Sequence, residues 1–292
     1  MKAMRCIIVL LMVLMIPGLA GCSTGGSSGP DRGTVVKNTD TTGNTADNQD
    51  SDSMGNYTRY ADYTPEKAVP AELIKGDNSS ILVAYFSRSG NTAIGNNTDA
   101  VSSASLDIGD NGTSKGNSQQ IAQWIAEETG ADLFLIQTEY TYPLDYDKAV
   151  AVGEGQDRDG YHPVLASSIE DMDQYDTVYL VYPVWHYTLP VPVCSFLDEY
   201  DLSGKKVYAF TANAGSRFAD TLERIREAEP DAEITEGMSL NEEEIRDEKE
   251  QILEFLKKHL RAGGKTEDQK SETQEEHTDH GLQDDQGHSA KG

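Results

Sequence analysis

A doubly wound α/β domain, with helices on both faces of a parallel sheet, is the fold class this sequence predicts. Three observations carry it. Short continuous runs of β-branched and aromatic residues alternate with amphipathic helical stretches, as a parallel sheet with crossover helices requires. Large apolar side chains crowd between roughly Ile81 and Leu260, so one core of ordinary size accounts for them. The loops after the first, third and fourth runs are the least ordinary parts of the chain, and such folds hold ligands beyond the carboxyl ends of their strands.

The first strand is read from Ile81 to Phe86, an unbroken apolar run as expected of a strand buried on both faces. Leu133 to Ile136 is the second, Thr177 to Tyr182 the third and Lys206 to Thr211 the fourth. A short fifth lies near Ala232 to Met238. Asn117 with Gln120 marks the start of a helix whose Ile121, Trp124 and Ile125 share a face. Leu189 to Tyr200 is another, with Pro190 and Pro192 in its first turn. Phe218, Leu222 and Ile225 mark a third. In the last, Asn241 with Glu244 is the expected cap and Ile245, Ile252, Leu256 and Leu260 form the stripe.

The ends of the chain differ in kind. Lys2 and Arg5 precede an apolar run from Cys6 to Leu14 and then Leu19-Ala20-Gly21-Cys22. This reads as a secretory signal, too short to span a bilayer stably. The tetrad resembles the bacterial lipobox, which implies that residues 1–21 are removed and that Cys22 carries a lipid. The protein is then held at the extracytoplasmic face of the cell membrane through that lipid only. Residues 22–76, rich in Gly, Ser, Thr, Asn and Asp, read as a disordered tether, residues 77–262 as the folded domain, and residues 263–292 as a disordered acidic tail. His277, His280 and His288 belong to that tail, and no metal site is predicted. Cys194 is left as a lone thiol in an apolar stretch, so no internal dithiol does redox work.

The formal net charge of −26 makes nucleic acid a poor partner. No G-x-G-x-x-G follows a strand, so a dedicated dinucleotide site is not indicated.

The loop after the first strand, Ser87-Arg88-Ser89-Gly90-Asn91-Thr92, offers amides and hydroxyls to a phosphate. The third loop runs from Tyr182 through Pro183, Val184, Trp185, His186 and Tyr187 to Pro190. The fourth is Thr211-Ala212-Asn213-Ala214-Gly215-Ser216-Arg217. With its opening at Phe86 to Thr92, its Tyr182 to Trp185 loop and the Asp201 to Val207 lead into the fourth strand, the domain resembles the flavodoxins. The likeness is to secreted or lipid-anchored forms found in anaerobic bacteria, and it covers about 180 residues.

That resemblance implies a five-stranded sheet of order 2-1-3-4-5 and FMN bound without a covalent bond. Its phosphate would rest on Ser87, Ser89, Gly90, Asn91 and Thr92. Its ring would lie between Pro183, Val184, Trp185 and His186 on one side and Thr211, Asn213, Ala214 and Gly215 on the other. The chain departs from the pattern where about 25 residues, with an insertion at 93–115, separate Thr92 from the following helix. A second Gly116-Asn117-Ser118 triplet stands at the start of that helix. Two registers follow: Gly90-Asn91-Thr92 as the cradle with the insertion emerging after it, or Ser87 and Ser89 combined with Gly116, Asn117 and Ser118. The second is preferred because it keeps the phosphate on a helix N-terminus. The expected function is an FMN-binding redox protein, either an electron carrier or an FMN-dependent reductase, with an unidentified donor or acceptor. The alternative is a flavin-free flavodoxin-fold binding module.

Overall fold

The computed structural model describes residues 53–92, 107–108 and 114–260. The expected signal peptide, Cys22, the first part of the tether, most of the insertion and the acidic tail lie outside the described residues.

Five parallel strands form the sheet: β1 (Asn78–Tyr85), β2 (Ala131–Leu135), β3 (Thr177–Pro183), β4 (Lys206–Asn213) and β5 (Glu233–Asn241). Their order is β2-β1-β3-β4-β5, as expected, so the chain moves one way from β1 to β2 and then crosses back to β3. The helices are α1 (residues 53–58), α2 (Arg88–Asn91), α3 (Asn117–Thr129), α4 (Tyr146–Arg158), α5 (Val191–Glu199), α6 (Thr221–Ala228) and α7 (residues 249–260). Within the insertion, Asp107–Ile108 pairs antiparallel with Ser114–Lys115.

Period-2 alternation divides the core between the two faces of the sheet. Ile81, Val83 and Tyr85 pack with Ile121 and Ile125 of α3 and Ile252 and Leu256 of α7. Leu82, Ala84 and Phe86 pack with Phe196 and Leu197 of α5 and Leu222 and Ile225 of α6. Because β1 and β3 are central, their side chains are buried on both sides, which is why both read as unbroken apolar runs.

The domain begins earlier than the sequence suggested. Residues 53–76, assigned to a disordered tether, run along the β2 edge and are part of the fold. Ile74 and Leu133 exchange backbone hydrogen bonds of 3.0 and 2.8 Å, Ala68 N–H donates to the Glu139 carbonyl, and Thr141 N–H donates to the Glu66 carbonyl. Gly76 N–H and Lys75 Nζ both donate to the Asp132 carboxylate at 2.8 Å. This strap covers an edge strand that would otherwise offer its free amides and carbonyls to another chain. It is anchored by Tyr57, which is 0% exposed and meets Tyr140 and Tyr142 edge-on at 5.9 and 5.4 Å. The polar composition around Tyr57, Tyr60 and Tyr63 masked three aromatic anchors.

Three further boundaries differ from expectation. β5 is nine residues long, lengthened by a bulge near Gly237, where a Cβ would fall 2.5 Å from the Ala209 carbonyl oxygen. Asn241 ends β5 instead of capping the last helix, and its Oδ1 accepts from Glu243 N–H. A 3-10 turn at Ile245–Asp247 intervenes before α7. Finally, α3 takes Gly116 as its N-cap, with Gln119 Oε1 accepting from the Gly116 N–H at 3.4 Å, rather than a box built on Asn117.

Replacing Tyr57 with alanine removes a fully buried ring, and a loss of about 3 kcal/mol in urea-unfolding stability is expected. Val69→Ala, at a strap position 85% exposed, is expected to change stability by less than about 0.5 kcal/mol. Equal small effects would show that the strap contributes no packing.

Candidate functional site

The carboxyl ends of β1, β3 and β4 lie side by side, so the three loops singled out in the sequence converge at the point where the strand order reverses. Within the first loop, Ser87 caps α2 and its Oγ accepts from Ser89 N–H at 3.2 Å. Gly116 sits directly over it. A Cβ on Gly116 would lie 1.7 Å from Ser87 Oγ and 3.2 Å from Ser89 Cβ. Only glycine permits this approach, and it brings the N-terminus of α3 onto Ser87 and Ser89. That approach sets the Gly116-Asn117-Ser118 triplet beside the first loop across the insertion.

The cradle has the chemistry of an anion site. Gly116 brings no side chain of its own to the α3 N-terminus, where Gln119 takes only the Gly116 N–H, and the helix dipole there favours negative charge. Ser118 is 0% exposed and its Oγ has no partner, and the same holds of the buried Thr92 Oγ1. Buried hydroxyls are ordinarily bonded, so such groups mark a place built for a polar ligand.

Asn91 is placed differently. Its Nδ2 donates to the Ser87 and Ile136 carbonyls, and its Oδ1 accepts from the N–H and hydroxyl of Thr138. All four valences of the amide are spent on joining the β1 loop to the β2 loop. Gly90 packs against Leu135, where a Cβ would lie 2.6 Å from a methyl group. Both residues shape the loop; neither side chain faces a ligand with free valences.

In the third loop, Val184 N–H bonds the Ala212 carbonyl, and Trp185 and Thr188 close a tight turn with reciprocal backbone bonds of 3.2 and 2.7 Å. Pro183 is buried at the end of β3. The two central residues, His186 and Tyr187, have φ values of 52° and 63°. Turns of this hand favour Asn and Gly, so two non-glycine residues store strain here. The half-buried Trp185 ring meets Phe86 and Tyr142 edge-on at 5.0 and 5.4 Å.

His186 turns toward α4: its Nδ1 is 3.3 Å from a Glu154 carboxylate oxygen. A Cβ on Gly153 would be 3.2 Å from His186 Nε2 and 3.3 Å from Trp185 Cε3. Burial holds the imidazole below its ordinary pKa, against the pull of Glu154 and Asp157, so it is neutral at pH 7. Arg224 of α6 completes the brace, bonding Asp157 at 2.7 Å and Thr188 Oγ1 at 2.8 Å.

On the fourth loop, Thr211 is buried with its hydroxyl unpartnered, while Ala214 and Gly215 are exposed. Asn213 is structural: its Oδ1 accepts from Gly215 and Arg217 N–H, and its Nδ2 ties to Ser239 Oγ and the Leu240 carbonyl. Gly215 adopts φ 95°, and Arg217 and Ala219 also have positive φ. All four non-glycine residues of positive φ in the described chain therefore fall in the two loops expected to flank a ring.

Sequence reasoning did not find α4 at all. Its glycines, Gly153 and Gly155, lower its helical signal, yet they are where Trp185 with His186 and Tyr60 dock. A helix with small residues one turn-face apart beside an Asp145 cap was the available clue. Arg88, buried in the first loop, was also passed over.

Tyr187 is 76% exposed, so its ring contributes little packing. Tyr187→Gly is expected to stabilise the fold by about 0.5–1 kcal/mol through relief of the positive φ, read from the urea midpoint. A loss of stability would show that the turn is not strained.

A family model described as flavodoxin matches residues 111–256, half of the 292-residue chain. No curated protein matches significantly. Among solved structures, a provisionally named flavoprotein of Bacteroides eggerthii is 26% identical, with a TM-score of 0.43, covering 60% of this chain and 98% of its own. A similarly named protein of Bacteroides uniformis is 22% identical with a TM-score of 0.43, covering 59% and 97%. A Lactobacillus acidophilus flavoprotein solved in complex with FMN is 18% identical with a TM-score of 0.40, covering 59% and 98%. With a matching model over half its length and the strand order that the sequence predicted, the chain belongs to the flavodoxin family.

Proposed function

We propose that this domain binds FMN without a covalent bond and serves as an electron carrier or FMN-dependent reductase. In this reading it works on the extracytoplasmic face of a bacterial membrane, held there by a lipid on Cys22. The observation that carries the flavin reading is the set of buried, unpartnered hydroxyls of Thr92, Ser118 and Thr211 at the convergence of the three loops. The rest of the site fits the same ligand. The α3 N-terminus, brought onto Ser87 and Ser89 by Gly116, suits a phosphate monoester. The two loops carrying Trp185 and Gly215 suit a planar ring between them.

Bound FMN would supply one- and two-electron chemistry. The chain's part is to hold and orient it. Gly116 and Ser87 fix the phosphate end, and Ser118 and Thr92 offer hydroxyl bonds. The brace of Glu154, Asp157 and Arg224 fixes the turn at 185–188. His186, neutral and turned to α4, sets the turn's position instead of supplying charge to the ring. The redox partner is an unidentified donor or acceptor.

A visible absorption spectrum of the purified full chain, with and without added FMN, tests the reading. Flavin bands that survive dialysis are expected, and Ser118→Ala should weaken FMN binding on the order of tenfold by removing one hydrogen bond to a charged group. A colourless protein that leaves FMN fluorescence unchanged would sink the redox reading in favour of a flavin-free binding module. Anchoring is tested separately: Cys22→Ser should move the protein from the membrane fraction to the soluble one, and no change would refute the lipid.

A further inference from the structure

Behind the 185–188 turn lies a run of aromatic rings for which flavin binding has no use. Trp185 meets Tyr142 edge-on at 5.4 Å, Tyr142 meets Tyr57 at 5.4 Å, and Tyr60 and Tyr63 of the strap pack against the same buried cluster. The run leads from the loop at the carboxyl end of β3 to the strap on the outside of the domain. Its two ends are seated on one turn of α4. A Cβ on Gly153 would fall 3.3 Å from Trp185 Cε3, and one on Gly155 would fall 2.3 Å from Tyr60 Cδ1. Glycine inside a helix costs about 1 kcal/mol against alanine, yet α4 carries both of these. With bare backbone between them, the two rings stand on the order of 10 Å apart, the width of one helix.

The hydroxyls of the run differ in their partners. Tyr142 donates to the Gln156 amide oxygen at 2.6 Å and Tyr63 to the Thr141 carbonyl at 3.2 Å. Tyr60 donates to a carboxylate, Asp159 Oδ2, at 2.7 Å. Arg59 and Arg158 reach the same carboxylate at 3.0 and 3.3 Å. The Tyr60 hydrogen bond, and then Arg158 and Arg59, hold Asp159 below the usual carboxylate range, so it is ionised at pH 7. A phenol that loses an electron becomes a strong acid, and an ionised carboxylate on its hydroxyl takes up the proton.

We propose that this run is a one-electron relay, in which Tyr60 fills an electron vacancy placed on Trp185 and passes its phenol proton to Asp159. The electron leaves the Tyr60 ring and reduces the Trp185 indolyl radical, whose half-buried ring takes a proton from solvent. The O–H bond of Tyr60 breaks, an O–H bond forms on Asp159 and an N–H bond forms on Trp185. The products are a tyrosyl radical and an intact tryptophan. The oxidant is a one-electron acceptor at the 185–188 loop, which in the FMN reading is a photo-excited flavin. The relay moves a radical from the ligand loops to the strap, where external reductants reach it. It goes beyond flavin binding and does not depend on it.

The test is pulse radiolysis of the flavin-free full chain, with azidyl radicals as the oxidant because they oxidise indole ahead of phenol. The chain has two tryptophans, so the measurement is made in Trp124→Phe, where Trp185 is the only indole. The visible band of the indolyl radical should decay as the sharper tyrosyl band grows, at a rate independent of protein concentration. Tyr60→Phe, which keeps the ring on Gly155 and removes the hydroxyl, should abolish that conversion. Tyr187→Phe should leave it unchanged, although Tyr187 stands beside Trp185 in the turn and is exposed. A conversion that never occurs, that survives Tyr60→Phe or that is lost in Tyr187→Phe overturns the relay and leaves the rings as packing alone. Should Tyr60→Phe fail to fold, Asp159→Asn decides: a slowed conversion upholds the relay, and an unchanged one overturns it. None of these measurements needs bound FMN, so failure of the flavin reading shows separately, as a chain that stays colourless when FMN is added and dialysed away.

Discussion

The seating of Gly116 on Ser87 is the contact on which the rest of the site depends. An insertion of some twenty residues separates β1 and its loop from α3, so nothing in chain continuity brings them together. What does so is steric: with no Cβ at 116, the start of the helix reaches the serine hydroxyl, and any side chain would force it away. The N-terminal end of α3, the Ser87 and Ser89 hydroxyls and the buried Ser118 then share one small volume. Just ahead of this contact, Ser114–Lys115 pairs antiparallel with Asp107–Ile108 of the insertion.

A second constraint holds the loop at 185–188. The strained turn is closed by its own two backbone bonds, and its central residues face solvent or α4. It is held by Trp185 against Phe86 and Tyr142, by His186 against Glu154, and by Arg224 through Thr188. Tyr142 in turn packs on Tyr57 of the strap. The covering of the β2 edge and the geometry of the ring loop thus belong to one aromatic cluster. This explains why a segment so far from the three ligand loops is built into the domain: removing the strap would expose a sheet edge and loosen the packing behind Trp185 together.

The sheet was legible because its signal is redundant. Strands buried on both faces must be apolar throughout, and four such runs separated by helical stripes admit few topologies. How the first loop meets α3 was legible only as two alternatives, and the close approach of Gly116 to Ser87 is a three-dimensional fact. The strap was hidden because Tyr57 works through partners eighty residues away, while its neighbours are polar. Helix α4 was hidden because the glycines that lower its propensity are demanded by Trp185, His186 and Tyr60 packing on it. The side-chain partners of Asn91 and Asn213 were hidden for a related reason. A polar side chain in a ligand loop reads as a ligand-binding group, yet both amides are consumed in tying neighbouring loops together.

That division of labour has a consequence for how the site works. Residues whose polar valences are filled by the protein, Asn91 and Asn213, fix where the loops stand; the buried hydroxyls of Ser118, Thr92 and Thr211 carry no such bonds among the described residues. The strain of His186, Tyr187, Arg217 and Ala219 is confined to the loops after β3 and β4, while the junction of the first loop with α3 is built from ordinary backbone around one glycine. A rigid, unstrained anchor at one end with strained loops at the other fits a ligand whose anionic terminus is bound alike in every state. The planar end of the proposed FMN would change charge and hydrogen bonding on reduction, and adjustment there is cheapest where the backbone is not at a minimum.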